Sequence, residues 1–386
     1  MSILLFLYRV IKSTATKKHA RKQIAECNCD RWQELIDNAV CYEFFITNSI
    51  GGGTEFFTKN YLDSTKHVLI LRNISYGKDW FFVVENKEMK KSCAITLYDV
   101  VDILKTQSVK KVTVNTLVTN LHTFEFLKML QKSAVPVTVM VHDYYLVCPN
   151  YTLFKNGAHC GFAFCNKNIC TKGCNPFLTP RCSLKEWREK WNAFLLSVKE
   201  IRCFSQSSRN IVRQAYPDID REKITVVPHS MEYCHFTPVS YQKEPVHIGI
   251  VGAITSTPKG SNVVRSFLRY AKKKNVMVSV IGTYPRHFRL KGKTIRYTGT
   301  YNASELQQTI EKEKVNCLLF PSLWSETFSY LVSEQIMMRL PIVCFDYGAQ
   351  AEKIRAYQKG VVCRSTKPEA IYEALKTAVR LQDEED

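Results

Sequence analysis

Short β-branched and apolar runs alternate with amphipathic stretches along most of the chain. Runs of four to eight such residues bounded by turn residues read as strands at 41–47, 67–72, 80–85, 111–115 and 135–142. The series continues at 201–204, 223–227, 246–251, 276–281, 294–297, 317–320, 341–345 and 360–363. Between them, apolar positions three and four residues apart mark helices such as 54–64, 183–199, 259–274 and 329–339. This alternation predicts an α/β fold of parallel sheets covered by helices on both faces. From 229 to 245 the periodicity lapses and two prolines, Pro238 and Pro245, intervene; a fresh βαβ series starts at Val246. Two α/β domains follow, 1–235 and 236–386, with the final helix packing back toward the first. No internal repeat stands out. One long segment, 146–182, rich in Cys, Asn, Gly and Lys, interrupts the first half, and structureless segments of that length are usually functional or tied by a metal.

Composition narrows the class. Of 386 residues, 45% are apolar and 23% charged, which excludes a disordered chain, a collagen-like repeat and a coiled coil. The 54 basic and 35 acidic residues leave a net charge of +19, and a folded protein this basic asks for an anionic partner: nucleic acid, phosphorylated metabolites or an acidic membrane face. No apolar run reaches the ~18–20 residues that cross a bilayer. Residues 2–8 are apolar, but Arg9, Lys12, Lys17, Lys18, Arg21 and Lys22 come after them, the reverse of a secretory signal. Such a start either docks as a terminal helix or lies on an anionic membrane surface. With no secretory signal, the fifteen cysteines read as reduced thiols, and Cys203, Cys317, Cys344 and Cys363, inside strand-like runs, as small buried hydrophobes. Cys148, Cys160, Cys165, Cys170, Cys174 and Cys182 gather in the 146–182 segment. Cys170 and Cys174 have workable spacing for a structural zinc, but no paired Cys-x-x-Cys accompanies them, and free thiols are the other reading.

Three loops carry candidate chemistry. The first strand runs into Gly51-Gly52-Gly53-Thr54-Glu55, where glycines allow close backbone approach to a ligand and the helix start offers amides to an anion; a plain tight turn is the alternative. The second half opens with Gly249-Ile250-Val251-Gly252, then a loop and Lys259-Gly260 at a helix start. A lysine about 4 Å from a phosphate interacts by roughly 4 kcal/mol at an effective dielectric near 20. A helix terminus adds only about 0.3–1 kcal/mol, so Lys259 is the stronger phosphate handle unless it is a solvated surface lysine. The third loop, from Phe320 to Glu334, follows a strand and opens a helix. Glu326 stands where open α/β sheets bind ligands, Thr327, Phe328, Ser329 and Tyr330 lead into the helix with free amides, and Glu334 is placed to accept from a ribose diol. Two unrelated surface glutamates are the alternative.

At these residues the chain resembles the retaining GT-B glycosyltransferases of family 4, glycosyltransferase group 1. The shared features are Glu326 and Glu334 with seven residues between them in a Pro-Ser-x-x-x-Glu context, then Leu340-Pro341-Ile342-Val343; Val227-Pro228-His229; Gly348-Ala349 with Glu352; and the glycine loop. Val141-His142-Asp143-Tyr144-Tyr145 resembles a subgroup of bacterial surface-polysaccharide synthesis, and the likeness spans about 41 to 375.

The resemblance implies two Rossmann-like, doubly wound parallel-sheet domains facing a cleft. It implies a nucleotide-sugar donor, a saccharide or polyprenyl-diphosphate-linked acceptor, hexosyl-type transfer with retention of configuration, and no required cofactor or bound metal. By the same resemblance Lys259 binds the donor diphosphate, Glu326 contacts the donor sugar, Glu334 the ribose, and Thr327, Phe328 and Ser329 cradle a phosphate. Gly51, Gly52, Gly53 and Gly252 join the binding loops, and His142 lies near the reacting sugar. One departure stands out: relatives place an arginine where this chain has Ala253, and Arg286 or another basic residue would have to replace it. A role in O-antigen, capsule or exopolysaccharide assembly implies a cytoplasmic protein at the inner face of the cell membrane, with an anionic membrane surface as partner and no nucleic acid. The competing readings are epimerase or phosphorylase chemistry on the same fold, and a non-catalytic basic protein that binds nucleic acid, membrane or nucleotide sugar.

Overall fold

The computed structural model describes residues 22–48, 52–76, 79–118, 120, 122–155, 158–160 and 182–381. Residues 2–21, Gly51, Cys165, Cys170 and Cys174 lie outside the described residues. The described chain forms two compact units. One draws on 22–151, 182–204 and 209–227; the other on 152–160, 205–208 and 228–381.

The first unit is built on an eight-stranded sheet. Its strands are β1 (Tyr42–Thr47), β2 (Val68–Tyr76), β3 (Asp79–Asn86), β4 (Lys91–Ile95), β5 (Val109–Val114), β6 (Val137–Met140), β9 (Glu200–Cys203) and β10 (Ile224–Val226), in the order β10-β9-β6-β5-β1-β2-β3-β4. A small hairpin, β7 (Phe154–Lys155) and β8 (Ala158–His159), belongs to the second unit. Helices α1 (Gly53–Ser64), α2 (Leu97–Lys105), α3 (Thr123–Lys132), α4 (Leu184–Ser197) and α5 (Gln206–Ala215) fall between strands, as the sequence pattern predicts. From β10 to β2 the pairing is parallel.

Two departures from the sequence reading occur at the sheet edge. Strand β3 runs antiparallel to β2, and β4, which the pattern did not mark, runs antiparallel to β3. Connection length decides this: Tyr76 pairs with Asp79 with only two residues between them, whereas a parallel return needs a dozen or more. The start of the 146–182 segment is an irregular loop, as the sequence reading has it, but a buried one. Tyr144, Tyr145, Leu146 and Val147 are buried, the Trp187 indole donates to the Tyr145 carbonyl at 2.9 Å, and the Tyr216 hydroxyl donates to the Leu146 carbonyl.

The second unit holds an all-parallel, six-stranded sheet of β11 (His247–Val251), β12 (Met277–Ile281), β13 (Ile295–Gly299), β14 (Cys317–Phe320), β15 (Ile342–Phe345) and β16 (Gly360–Cys363). The order is β13-β12-β11-β14-β15-β16, the doubly wound arrangement in which the chain first builds outward on one side and then crosses back to the other. The remaining helices are α6 (Ser261–Lys273), α7 (Leu306–Glu313), α8 (Tyr330–Met337), α9 (Gly348–Arg355) and α10 (Pro368–Arg380).

Both sheet faces are dry, so successive strand residues alternate between two cores instead of between core and water. Ile248, Ile250, Cys317, Leu319, Val343 and Phe345 join one core with α6 and α10. Val251, Leu318, Phe320, Ile342 and Cys344 join the other with α7, α8 and α9. The closing helix α10 buries Ile371, Leu375, Ala378 and Val379 in this unit's own core. Cys203, Cys317, Cys344 and Cys363 are buried free thiols.

Candidate functional site

Strands β11 and β14 are neighbours at the point where the order of the second sheet reverses, so the loops leaving their carboxyl ends diverge and open a crevice. The first loop begins at Gly252, whose amide donates to the Ile281 carbonyl at 2.9 Å, and ends at Gly260. Gly260 adopts φ +84, and a Cβ there would stand 2.1 Å from the Pro321 carbonyl oxygen. This close approach brings the two loops together; the Leu323 amide donates to the Pro258 carbonyl at 2.8 Å. The helix therefore starts at Ser261, and Lys259 sits just before it in the loop.

The Lys259 ammonium lies 2.8 Å from Glu326 Oε1. The Trp324 indole donates to the same oxygen at 3.2 Å, and the ammonium stands 4.7 Å from the Trp324 ring centroid. The first turn of α9, which follows β15, backs Glu326. The Glu326 amide donates to Gln350 Oε1 at 3.1 Å, its carbonyl accepts from the Ala349 amide at 2.9 Å, and Gln350 Nε2 donates to the Trp324 carbonyl at 2.7 Å. Gly348, at φ +53, is required here because a Cβ would be 2.7 Å from the Glu326 amide nitrogen. Burial opposes ionisation of Glu326, but the Lys259 charge and the hydrogen bonds from Lys259 and Trp324 outweigh it and hold the carboxyl below the ordinary range. The side chain of Lys259 is 39% exposed against 12% for Glu326, so the cation is the accessible partner.

The same loop continues through Thr327 and Phe328, both buried, to Ser329, which takes the left-handed conformation at φ +63 and launches α8. Phe328 packs on His229 and Tyr330 with ring centroids 4.6 and 4.9 Å away. The Lys353 ammonium stands 3.4 Å from the Phe328 centroid, donates to the Ser329 carbonyl at 3.4 Å and bonds the Ser333 hydroxyl. Inside α8, Glu334 is buried and accepts from the Tyr233 hydroxyl at 2.7 Å. Burial raises the Glu334 carboxyl, and the Tyr233 bond offsets only part of this. Glu352 accepts from the amides of Gln206 and Ser207, which belong to the same unit. His159 Nε2 lies 2.9 Å from the Ser325 hydroxyl, also within this unit.

In the first unit, Gly52 adopts φ +75 as the residue before α1, and Gly53 is the first residue of that helix. His142 follows β6 and lies between Phe57 and Phe204, with ring centroids 4.6 and 4.5 Å away. Its burial pushes the imidazole down to about 3, so it is neutral across the physiological range. Asp143 beside it is pushed up to about 6 by burial, against the hydrogen bonds it accepts from the Tyr145 amide and the Thr116 hydroxyl.

Lys259, Glu326, Thr327, Phe328, Ser329 and Glu334 thus share one unit, while His142, Gly52 and Gly53 share the other. Ala253 and Arg286 are exposed, and no bond from either reaches this cluster. The sequence reading missed Trp324, Gln350, Tyr233 and Lys353. Trp324 was legible as a neighbour of Glu326; the other three reach the site only through the fold.

Solved structures share this architecture over nearly the whole chain. A structure of Anabaena HepE in complex with UDP and glucose matches with a TM-score of 0.52 at 12% identity, covering 88% of this chain and 93% of that one. The sucrose-phosphate synthase of Thermosynechococcus elongatus matches with a TM-score of 0.55 at 10% identity, covering 88% and 92%. WaaG, a glycosyltransferase involved in lipopolysaccharide biosynthesis, matches with a TM-score of 0.53 at 13% identity, covering 87% and 90%. The fold is GT-B. Within this GT-B chain, residues 245–380 match the family model described as Glycosyl transferases group 1, the stretch that carries Lys259, Glu326, Glu334 and Lys353. No curated protein matches the chain by sequence.

Proposed function

We propose that the protein is a retaining glycosyltransferase that moves a hexosyl group from a nucleoside-diphosphate sugar to a saccharide or lipid-linked saccharide acceptor in surface-polysaccharide assembly. The observation that carries this reading is the Lys259–Glu326 pair at the switch point of a parallel sheet, directly ahead of the α8 amino terminus. Sugar transfer from such a donor expels a diphosphate, so negative charge grows on the leaving phosphate oxygen as the glycosidic bond breaks. An accessible lysine and oriented amides stabilise that charge where it develops. When a donor binds, Lys259 turns from Glu326 to the diphosphate, and the released carboxylate accepts hydrogen bonds from the sugar hydroxyls. Exchange of one ionic partner for another leaves neither charge unpaired. Glu334 takes the ribose diol in place of the Tyr233 hydroxyl. The neutral imidazole of His142 and the glycine loop at Gly52–Gly53 serve the reacting sugar and its acceptor.

Several likenesses support the reading: the group 1 match over the second unit, the UDP and glucose bound to HepE, and the involvement of WaaG in lipopolysaccharide biosynthesis. Because the cationic work falls to lysine, activity is expected to survive chelation of divalent metals. The deciding experiment is a panel of nucleotide sugars scored for thermal stabilisation and for turnover, with the anomeric configuration of the product read by NMR. Stabilisation by one nucleotide sugar and transfer with retention support the proposal. An isomerised free nucleotide sugar or a sugar phosphate as product would replace it with epimerase or phosphorylase chemistry.

A further inference from the structure

The charges around the start of α8 do not yet suit a diphosphate. Lys259 and Glu326 are paired at 2.8 Å and nearly cancel at a distance, and Glu334 adds a third, acidic group. Against a ligand with at least two negative charges, backbone amides at a helix terminus supply the equivalent of only about half a positive charge. The missing charge is present in the fold. Lys353 comes from α9, the helix that follows β15, and its ammonium reaches across to α8, where it bonds the Ser333 hydroxyl and lies 3.4 Å from the carbonyl of Ser329. It rests 3.4 Å from the centre of the Phe328 ring, so an aromatic face replaces part of its water. The carboxylates that act on it are Glu326, from the β14 loop, and Glu352, on its own helix. Glu352 is committed to the Gln206 and Ser207 amides, and Glu326 to Lys259. A lysine is thus held half-buried at a helix start with both neighbouring carboxylates engaged elsewhere.

Resting on the donor reading above, we propose that Lys353 is the second cation of the site and binds the diphosphate of the nucleotide together with Lys259. It takes the part that the exposed Ala253 does not play. The phosphate docks at the α8 amides beside Ser329, and the ammonium moves from the Ser329 carbonyl and the Ser333 hydroxyl onto a phosphate oxygen. No bond is made or broken, and the charge of the ammonium is matched by that of the incoming anion. Burial lowers the ammonium of Lys353 to about 8, with Glu326 and Glu352 opposing the shift. Its charge is therefore present at neutral pH, is lost as pH rises through that value in the free protein, and is restored by a bound anion.

The test is calorimetric titration of the full chain with UDP, GDP, the matching nucleosides and inorganic pyrophosphate, on the wild type, Lys353→Met and Lys353→Arg. Lys353→Met is expected to weaken nucleoside diphosphate and pyrophosphate by about tenfold or more while nucleoside affinity stays within about twofold; Lys353→Arg recovers most of the loss. Diphosphate affinity in Lys353→Met within about twofold of wild type overturns the proposal. So does an equal loss of nucleoside and diphosphate, which would make Lys353 a pin for the loop. Should Lys353→Met fail to fold, the pH series decides. Wild-type pyrophosphate affinity falling between about pH 7 and 9, with Lys353→Arg flat, supports the assignment, and equal slopes overturn it. A wild type that binds pyrophosphate through Lys353 but neither nucleoside diphosphate would keep the anion site and sink the donor reading. A wild type that binds no probe overturns both.

Discussion

Lys259 and Glu326 lie 67 residues apart in sequence and touch at 2.8 Å, and each gives the other a reason to be charged in a site that partly excludes water. Replacing either by alanine is expected to lower transfer by about a hundredfold or more, the scale seen when one preorganised electrostatic contact is removed. The melting temperature should move little, since Lys259 is well exposed and the Glu326 backbone is held independently by Gln350 and Ala349. Wild-type turnover in both variants would remove the site assignment. His142 makes a different prediction. Its imidazole titrates near 3 when folded and near the ordinary 6.5 when unfolded, so the unfolded chain binds the extra proton between those values. Stability is therefore lost as pH falls below about 6.5, at up to about 1.4 kcal/mol per pH unit from this group alone, and His142→Phe should flatten that slope. The same variant is expected to lower turnover while donor affinity changes little, read by separate titration and rate measurements. Glu326 and Lys259 were legible in the sequence because each stands in a loop with its own turn chemistry. Lys353 was not. A lysine on a short helix reads as a solvated face, and only its seat on Phe328 and Ser329 says otherwise.

At the scale of elements, the site depends on two glycines, Gly260 and Gly348, that allow backbone segments to touch. Gly260 is the more demanding, combining a left-handed φ with an approach of 2.1 Å between its would-be Cβ and the Pro321 carbonyl oxygen. Gly260→Ala is expected to destabilise the fold by about 1–3 kcal/mol, visible as a lowered melting temperature, and to separate Lys259 from Glu326. Activity should fall by more than the loss of folded protein explains. An unchanged melting temperature would mean that the loops part freely. Helix and strand positions followed the periodicity closely, with helix starts displaced by one or two residues, and at two of them the structure gives the reason. The helices expected at 259 and 329 begin at Ser261 and Tyr330, because Gly260 and Ser329 are both left-handed and cannot be helical. Strand β4 went unmarked because Lys91 and Ser92 interrupt its apolar pattern, and the sense of β3 was set by a connection too short for any crossover.

Across the whole molecule, the net charge of +19 bears on where the protein works. We propose that it visits an anionic membrane face to meet a lipid-linked acceptor. Co-sedimentation with vesicles containing anionic phospholipid is expected to exceed that with neutral vesicles and to weaken as salt shortens the Debye length below about 10 Å. Equal partition to both vesicle types would contradict this. The α/β class, nearly all the strands, the loops bearing Lys259 and Glu326 and the helix bearing Glu334 were determined by the sequence itself, since periodicity and turn chemistry act over a few residues. The tertiary structure alone decided which loops meet. The crossover that sets β14 beside β11 brings Lys259 to Glu326, the packing of α8 turns Glu334 to Tyr233, and the passage from β15 into α9 carries Lys353 to Ser329. Those pairings join residues from 24 to 101 positions apart, and no local pattern encodes them, because their energy exists only once the sheet has closed the distance.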